Sequence, residues 1–193
     1  MRALIFLFME IEQTPIPQDE LDIFRSLKDI RVVFDVGARV DTDYIELKPD
    51  VELHAFEPNP LFFSELKRKL GDRKKTFLNN FGLSDKAGFA LYNEGRQAFE
   101  GGDETGFIGG ERMLPLKTLD WYVKNNNIKR IDFLKIDTEG YDFKVLLGGK
   151  KMLPKCRYIQ YEHWNDKEKF HKLLKRFEMK YIGNRNVFCT RRI

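Results

Sequence analysis

Acidic residues at the ends of apolar runs mark where this chain could do chemistry. Val32-Val33-Phe34 runs into Asp35 with Gly37 just beyond, and twenty residues after Gly37 a second apolar run stops at Glu57-Pro58-Asn59. A strand ending in an acid and a glycine turn, then a strand ending in an acid, is how open α/β sheets hold a nucleoside. The glycine lets backbone approach the ligand, and the acid accepts hydrogen bonds from ribose hydroxyls. The same pattern also describes a structural turn beside an exposed acid. Further along, Ile131 to Ile136 ends at Asp137 and Glu139, and Arg157 to Tyr161 ends at Glu162-His163. Carboxylates and an imidazole at neighbouring strand ends can take a proton from a bound hydroxyl. His163, with a reference pKa near neutrality, is the first choice of general base, although it could equally cap a helix or bond a carbonyl. Asp137, Glu139, Glu162 and His163 could instead hold Mg²⁺ or a similar hard cation, or the acids could simply cap the next helix. Lys135 lies inside an apolar run, where a cation must be paired. Glu139, Asp35 and Asp137 are its candidate partners, and orienting that acid is its expected role.

The elements that must position these groups follow from periodicity. Leu21, Phe24, Leu27 and Ile30 recur at helical spacing after Pro15 and Pro17, making residues 1–30 a helical extension ahead of a single α/β domain over 31–193. Strands are expected at Arg31–Val36, Val51–Phe56, Thr76–Asn79, Phe89–Tyr92, Ile131–Ile136 and Arg157–Tyr161. Helices are expected at Asp41–Leu47, from Pro60 to Gly71, around Leu119–Val123, at Tyr141–Leu147 and at Glu168–Phe177. Lys180–Ile182 and Val187–Thr190 form a closing hairpin. Strands alternating with helices imply a parallel sheet that the hairpin makes mixed. Glu94–Glu111 is glycine-rich and aperiodic, the length of a lid or substrate loop.

Composition narrows the class. With 193 residues, 42% of them hydrophobic, the chain can bury a core without disulfides. Its two cysteines, Cys156 and Cys189, are too few for a disulfide framework and read as reduced thiols, which suggests a cytoplasmic setting. Ala3–Met9 is apolar but too short to span a bilayer. A net charge of +4 is too mild and dispersed for a nucleic-acid footprint. The densest basic segments, Lys67-Arg68-Lys69 and Arg73-Lys74-Lys75, read as a solvated face, with an anionic ligand as the alternative. His54 reads as a satisfied sheet residue and His171 as part of a charged helix, while Trp164 could wall a sugar site beside His163.

Five motifs, taken in order, resemble the FkbM-type methyltransferase family: Phe34-Asp35-Val36-Gly37-Ala38-Arg39, Phe56-Glu57-Pro58-Asn59-Pro60, Gly82-Leu83-Ser84-Asp85, Leu116-Lys117-Thr118-Leu119-Asp120, and Phe133 through Asp142 around Lys135-Ile136-Asp137-Thr138-Glu139-Gly140. The resemblance implies the class I methyltransferase fold. That is an α/β, Rossmann-like sandwich whose seven-stranded sheet is mostly parallel, with an antiparallel C-terminal hairpin and helices on both faces. It implies S-adenosylmethionine as cofactor and O-methylation of a hydroxyl on a sugar or other small metabolite, with no divalent cation expected. By position, Asp35, Gly37, Ala38 and Arg39 would face the methionine moiety and Glu57 the ribose. Pro58 and Asn59 would flank the adenine, and Gly82, Leu83, Ser84 and Asp85 would close over its edge. His163, Asp137, Glu139 and Lys135 would serve the acceptor.

One departure stands out: the family commonly carries Asn and Gly where this chain has Arg39 and Asp41. Loss of that glycine removes freedom to adopt positive φ, and Asp41 adds negative charge near the cofactor carboxylate. Arg39 could offset this as a planar fork, or pair with Asp41 or Asp43. A binding module that kept the fold without catalysis is therefore the second reading. A nicotinamide enzyme lacks its Gly-x-Gly-x-x-Gly cradle here, and Asp-Thr-Glu-Gly replaces the Asn/Asp-Pro-Pro-aromatic loop that would grip a flipped base.

Overall fold

A computed structural model of the chain describes residues 18–42, 44–93, 98–99, 111–163 and 167–192. The apolar Ala3–Met9 run, Pro15, Pro17, Asp43, Trp164 and nearly all of the Glu94–Glu111 excursion lie outside the described residues. In chain order the elements are α1 (Gln18–Ser26), β1 (Val32–Val36), α2 (Tyr44–Leu47), β2 (Glu52–Phe56), α3 (Pro60–Leu70), β3 (Thr76–Asn79), β4 (Gly82–Leu83), β5 (Gly88–Asn93) and β6 (Ala98–Phe99). There follow β7 (Glu111–Lys117), α4 (Leu119–Asn125), β8 (Ile131–Ile136), α5 (Asp142–Leu147), β9 (Cys156–Glu162), α6 (Lys167–Leu173), β10 (Phe177–Ile182) and β11 (Asn186–Arg191).

The main sheet has seven strands in the order β10-β11-β9-β8-β1-β2-β3, with β11 antiparallel to both neighbours and the other pairings parallel. This is the class I methyltransferase arrangement, and it sets the strands that run parallel with their carboxyl ends along one rim. Burial is double-sided: all six residues of β8 are buried, as expected for a strand covered by helices on both faces. On one face Phe24 of α1, Tyr44 of α2 and Leu66 of α3 pack on Val33, Ala55 and Phe133. On the other, Leu119 and Tyr122 of α4, Val145 and Leu146 of α5 and Phe170 of α6 cover Phe34, Ile136, Ile159 and Tyr161. Phe24 is fully buried between Tyr44 and Phe133, with ring centroids 4.8 Å from each, which ties α1 directly to the sheet.

The sequence gives local reasons for several boundaries. Asn59 caps α3 by accepting the Leu61 N–H at 2.9 Å, with Pro60 in the first turn where its missing donor costs nothing. Thr118 caps α4 through the Trp121 N–H at 3.1 Å. The helix expected over Glu168–Phe177 stops at Leu173, because Phe177 begins β10 and pairs with Arg191. A second, four-stranded sheet, β4-β7-β5-β6, was not expected, and it takes up the strand at Phe89–Tyr92.

His54 is satisfied as expected: its ring nitrogens meet the Tyr122 hydroxyl at 2.8 Å and Glu52 at 2.9 Å. The basic segments near α3 are largely engaged locally. Arg68 pairs with Glu65, Lys69 with Asp41, and Arg73 donates to the Pro49 and Val51 carbonyls. Cys156 and Cys189 are buried free thiols, and burial pushes Cys189 up to about 12. No helix among the described residues is long and apolar enough to cross a membrane.

Candidate active site

The loop after β1 and the end of β2 are joined at one carboxylate. Glu57 is 4% exposed; its Oε2 accepts the Arg39 N–H at 2.9 Å and its Oε1 the Asn59 N–H at 2.7 Å. The Gly37 and Ala38 amides donate to the Phe56 carbonyl at 3.0 and 3.1 Å. Gly37 and Glu57 therefore lie side by side at the carboxyl rim, the position of the expected nucleoside crevice. Each carboxylate oxygen keeps a lone pair beyond the one its amide uses, so Glu57 can still accept hydroxyl donors. Burial pushes its carboxyl up to about 7 against the pull of those two amides and the Arg39 charge. Asn80, just past the end of β3, fixes the same edge by donating to the Glu57 and Pro58 carbonyls at 2.9 and 3.1 Å.

Gly37 has a reason beyond ligand approach. Its φ is +89°, and a Cβ there would lie 1.9 Å from the Asp137 carbonyl oxygen, so only glycine lets the β1 loop pass the end of β8.

The departure at Arg39 and Asp41 resolves in the backbone. The left-handed residue is Arg39, with φ +55°; Asp41 is not among the positive-φ residues and needs no glycine. Asparagine, the family's usual residue at position 39, tolerates that conformation better than arginine does. The Arg39 guanidinium lies over the Phe62 ring of α3, 5.4 Å from its centroid. Asp41 accepts its neighbour Thr42 N–H at 2.8 Å and pairs with Lys69 at 2.9 Å.

Beneath the crevice a polar row crosses the sheet. Asp35, Lys135 and Gln160 are register partners on β1, β8 and β9. Lys135 Nζ lies 3.3 Å from Asp35 Oδ1 and 3.4 Å from Asp137 Oδ2, so two of its three expected partners hold it. Burial alone would depress this ammonium, but the charges of Asp35 and Asp137 hold it well above its ordinary value. Gln160 donates to Glu20 of α1 and lies 3.5 Å from the Tyr44 hydroxyl.

The β8–α5 loop carries the other acids. Asp142, 1% exposed, organises them: its Oδ2 accepts the Thr138 N–H at 3.2 Å and hydroxyl at 2.6 Å, and its Oδ1 accepts the Glu162 N–H at 2.9 Å. One carboxylate thus joins the loop after β8 to the end of β9, and burial pushes it up to about 7. At the sequence level Asp142 looks like an ordinary acid in a helix first turn. Glu139 is left-handed at φ +52° and Gly140 follows at φ +100°, backbone strain of the kind that collects at functional sites. Glu162 is pushed up to about 8 by burial, then by Asp137, Asp142, Glu139 and Glu20.

His163 does not join this group. Successive β9 side chains alternate between the two sheet faces, so Gln160 and Glu162 share the face of Lys135, while Tyr161 and His163 point toward α6. There Tyr161 stacks on Phe170, and the His163 ring meets Tyr181 edge-on at 5.9 Å. Tyr181 in turn bonds His171 at 2.7 Å. Burial and the nearby Lys167 charge lower the His163 pKa. The structure thus sets the His163 ring beside Tyr181, apart from the acids gathered around Asp142. Among the described residues no three His, Cys, Asp or Glu side chains stand close enough together to form a metal-ligand set, the four named for a cation included.

Gly82–Asp85, expected at the adenine edge, is held firmly in place. Gly82 and Leu83 pair with Leu116 and Lys117, Leu83 enters the main core, and Ser84 N–H donates to the Lys117 carbonyl at 2.8 Å. A Cβ on Gly148, at the end of α5, would lie 2.0 Å from the Ser84 carbonyl oxygen, so this segment is wedged between the second sheet and α5.

Sheet order and helices on both faces together define a class I methyltransferase fold, and solved structures agree. An FkbM methyltransferase from Methylobacillus flagellatus KT superposes with a TM-score of 0.59 at 11% identity, over 86% of this chain and 47% of that one. SMU.1697c from Streptococcus mutans, in complex with SAH, gives 0.54 at 11% identity over 93% and 99%. The Methyltransferase FkbM domain family matches residues 35–185, and the chain belongs to it. Among curated proteins, 2-O-methyltransferase NoeI of Sinorhizobium fredii (strain NBRC 101917 / NGR234) is 26% identical over 158 residues, 71% of this chain and 64% of that protein. Hexuronic acid methyltransferase AglP of Haloferax volcanii is 26% identical over 147 residues, 72% of this chain and 60% of that protein. The chain thus spans less than two thirds of either relative's length.

Proposed function

We propose that this chain is an S-adenosylmethionine-dependent O-methyltransferase acting on a hydroxyl of a sugar or similar small polyol, in the cytoplasm. The observation that carries the reading is the Glu57 carboxylate, shared between the Arg39 and Asn59 amides at the floor of the crevice. A buried carboxylate with open lone pairs fits a ribose diol, which would complete its hydrogen bonding. Bound there, the cofactor supplies an electrophilic methyl group. The two curated relatives, whose names describe a 2-O-methyltransferase and a hexuronic acid methyltransferase, support a sugar hydroxyl as acceptor.

The chain's own residues then have distinct tasks. Gly37 and Ala38 hold the β1 loop on β2, and Glu57 takes the ribose. Lys135 fixes Asp35 and Asp137 from below, so that Asp137, 42% exposed at its side chain, keeps one orientation at the crevice wall. Glu162 replaces His163 as the base that receives the acceptor proton. Its carboxyl, pushed up to about 8, is matched to a hydroxyl better than an ordinary carboxylate is. Methyl transfer asks little more than in-line positioning and a proton sink.

Calorimetry with S-adenosylmethionine and S-adenosylhomocysteine tests the reading. Saturable heat with both, weakened at least about tenfold by Glu57→Ala, is the expected result; no heat at millimolar cofactor would leave the non-catalytic binding module. Turnover in the presence of a chelator is expected to persist.

A further inference from the structure

The far rim of the main sheet carries a feature that the crevice does not use. Pro154, Lys175, Arg176, Arg191 and Arg192 line an open depression of about 560 Å³. It lies at the amino end of β9, which starts at Cys156, whereas the crevice lies at the carboxyl end near Glu162. Six residues of extended strand put about 20 Å between them, so the depression is no part of the cofactor crevice.

The frame of the depression is fixed. The Arg192 N–H donates to the Arg176 carbonyl at 2.9 Å, which closes the end of the β10–β11 ladder beyond the Phe177–Arg191 pair. Arg191 Nη1 donates to the Pro154 carbonyl at 2.8 Å, anchoring one edge of that guanidinium to the turn before β9. Four cationic residues line it, with no acid among its described lining residues. Like charges gathered in a concavity repel one another and focus a positive potential into it, which an anion relieves. Three of the four are arginines, whose planar forks bond paired phosphate oxygens bidentately. The volume lies in the range of small-molecule sites, and the cations ring a depression instead of forming the long track that a nucleic-acid backbone needs.

We propose that this depression is a second ligand site, one that takes a small molecule carrying a diphosphate group. Calorimetry or phosphorus NMR with inorganic pyrophosphate at low ionic strength tests it, using the full chain and the Arg176→Ala/Arg192→Ala variant. Both side chains are exposed, so the variant is expected to melt with the parent. The expected result is one saturable site on the parent that weakens at least about tenfold in the variant, with S-adenosylhomocysteine binding unchanged in both. Tighter binding of a nucleoside diphosphate than of pyrophosphate would support the site and assign a nucleotide-linked source; equal or weaker binding would support it with another diphosphate source. The proposal is overturned by an absence of saturable pyrophosphate binding or by equal affinity in the variant. Sulfate matching pyrophosphate at equal ionic strength would also overturn it, as would preference for a phosphodiester oligonucleotide that grows with its length.

Discussion

Lys135 Nζ sits between Asp35 Oδ1, at 3.3 Å, and Asp137 Oδ2, at 3.4 Å, so a single ammonium ties the acid inside β1 to the acid that follows β8. Asp35 is 1% exposed and loses its compensating charge if the lysine goes. Lys135→Met is expected to reduce unfolding free energy by about 3–5 kcal/mol, the usual cost of breaking a buried pair from one side. Adding Asp35→Asn should recover more than half of that loss without restoring cofactor affinity. Urea denaturation of the single and double variants checks the first statement and calorimetry the second.

Gly37→Ala meets two penalties at once: a left-handed φ and a Cβ 1.9 Å from backbone that cannot swing away. The variant should lose more than about 1 kcal/mol of stability and bind S-adenosylmethionine too weakly to saturate at millimolar concentration. Retained affinity would show that the β1 loop can part from Asp137 without closing the crevice.

Glu57 and Asp142, both pushed up to about 7, and Glu162, up to about 8, share a pH signature. Each holds its proton more tightly folded than unfolded, so the folded chain binds more protons between about pH 4.5 and 8. Stability from these groups is fully present below the unfolded carboxylate range and falls as pH rises through 7 to 8. The ligand-free protein should therefore melt lower at pH 8 than at pH 5.5, and Glu57→Gln should flatten that slope. Ribose hydroxyls donating to Glu57 favour its charged form, so cofactor binding near pH 6.5 is expected to release protons. Calorimetry in two buffers of different ionisation enthalpy reads that release directly.

Arg39→Asn tests whether the arginine is needed. Its left-handed backbone suits asparagine, while the contact of the half-buried guanidinium with Phe62 is worth at least about 0.5–1 kcal/mol; the two oppose each other. Stability within about 1 kcal/mol of the parent and cofactor affinity within about threefold are expected. A large loss of affinity would restore Arg39 as a direct partner of the cofactor carboxylate.

Local patterns made much of this legible in the sequence. Thr76–Asn79 and Ile131–Ile136 form strands with the expected bounds, because an apolar or β-branched run closed by polar residues has few alternatives. Asp35, Glu57 and Lys135 could be singled out because strand ends and a lone buried cation are visible in one dimension. The second sheet was not, since β4 has only two residues and its partners lie more than thirty positions away, on a strand that contains Pro115. That Glu162 and His163 part company, the first near Asp142 and the second beside Tyr181, is not visible in one dimension, where they are simply neighbours. Asp142 hid its role because its two tethers, Thr138 and the Glu162 amide, belong to different elements.

The contact between Gly148 and the Ser84 carbonyl gives α5 a mechanical part. At its first residue the helix grips Thr138 and the Glu162 amide through Asp142; at its far end it abuts the segment that starts the small sheet. A rigid strut of under two turns therefore spans the distance from that sheet to the proposed proton acceptor. The end of the cofactor side and the start of the small sheet are thus joined by a route that bypasses Glu57 altogether.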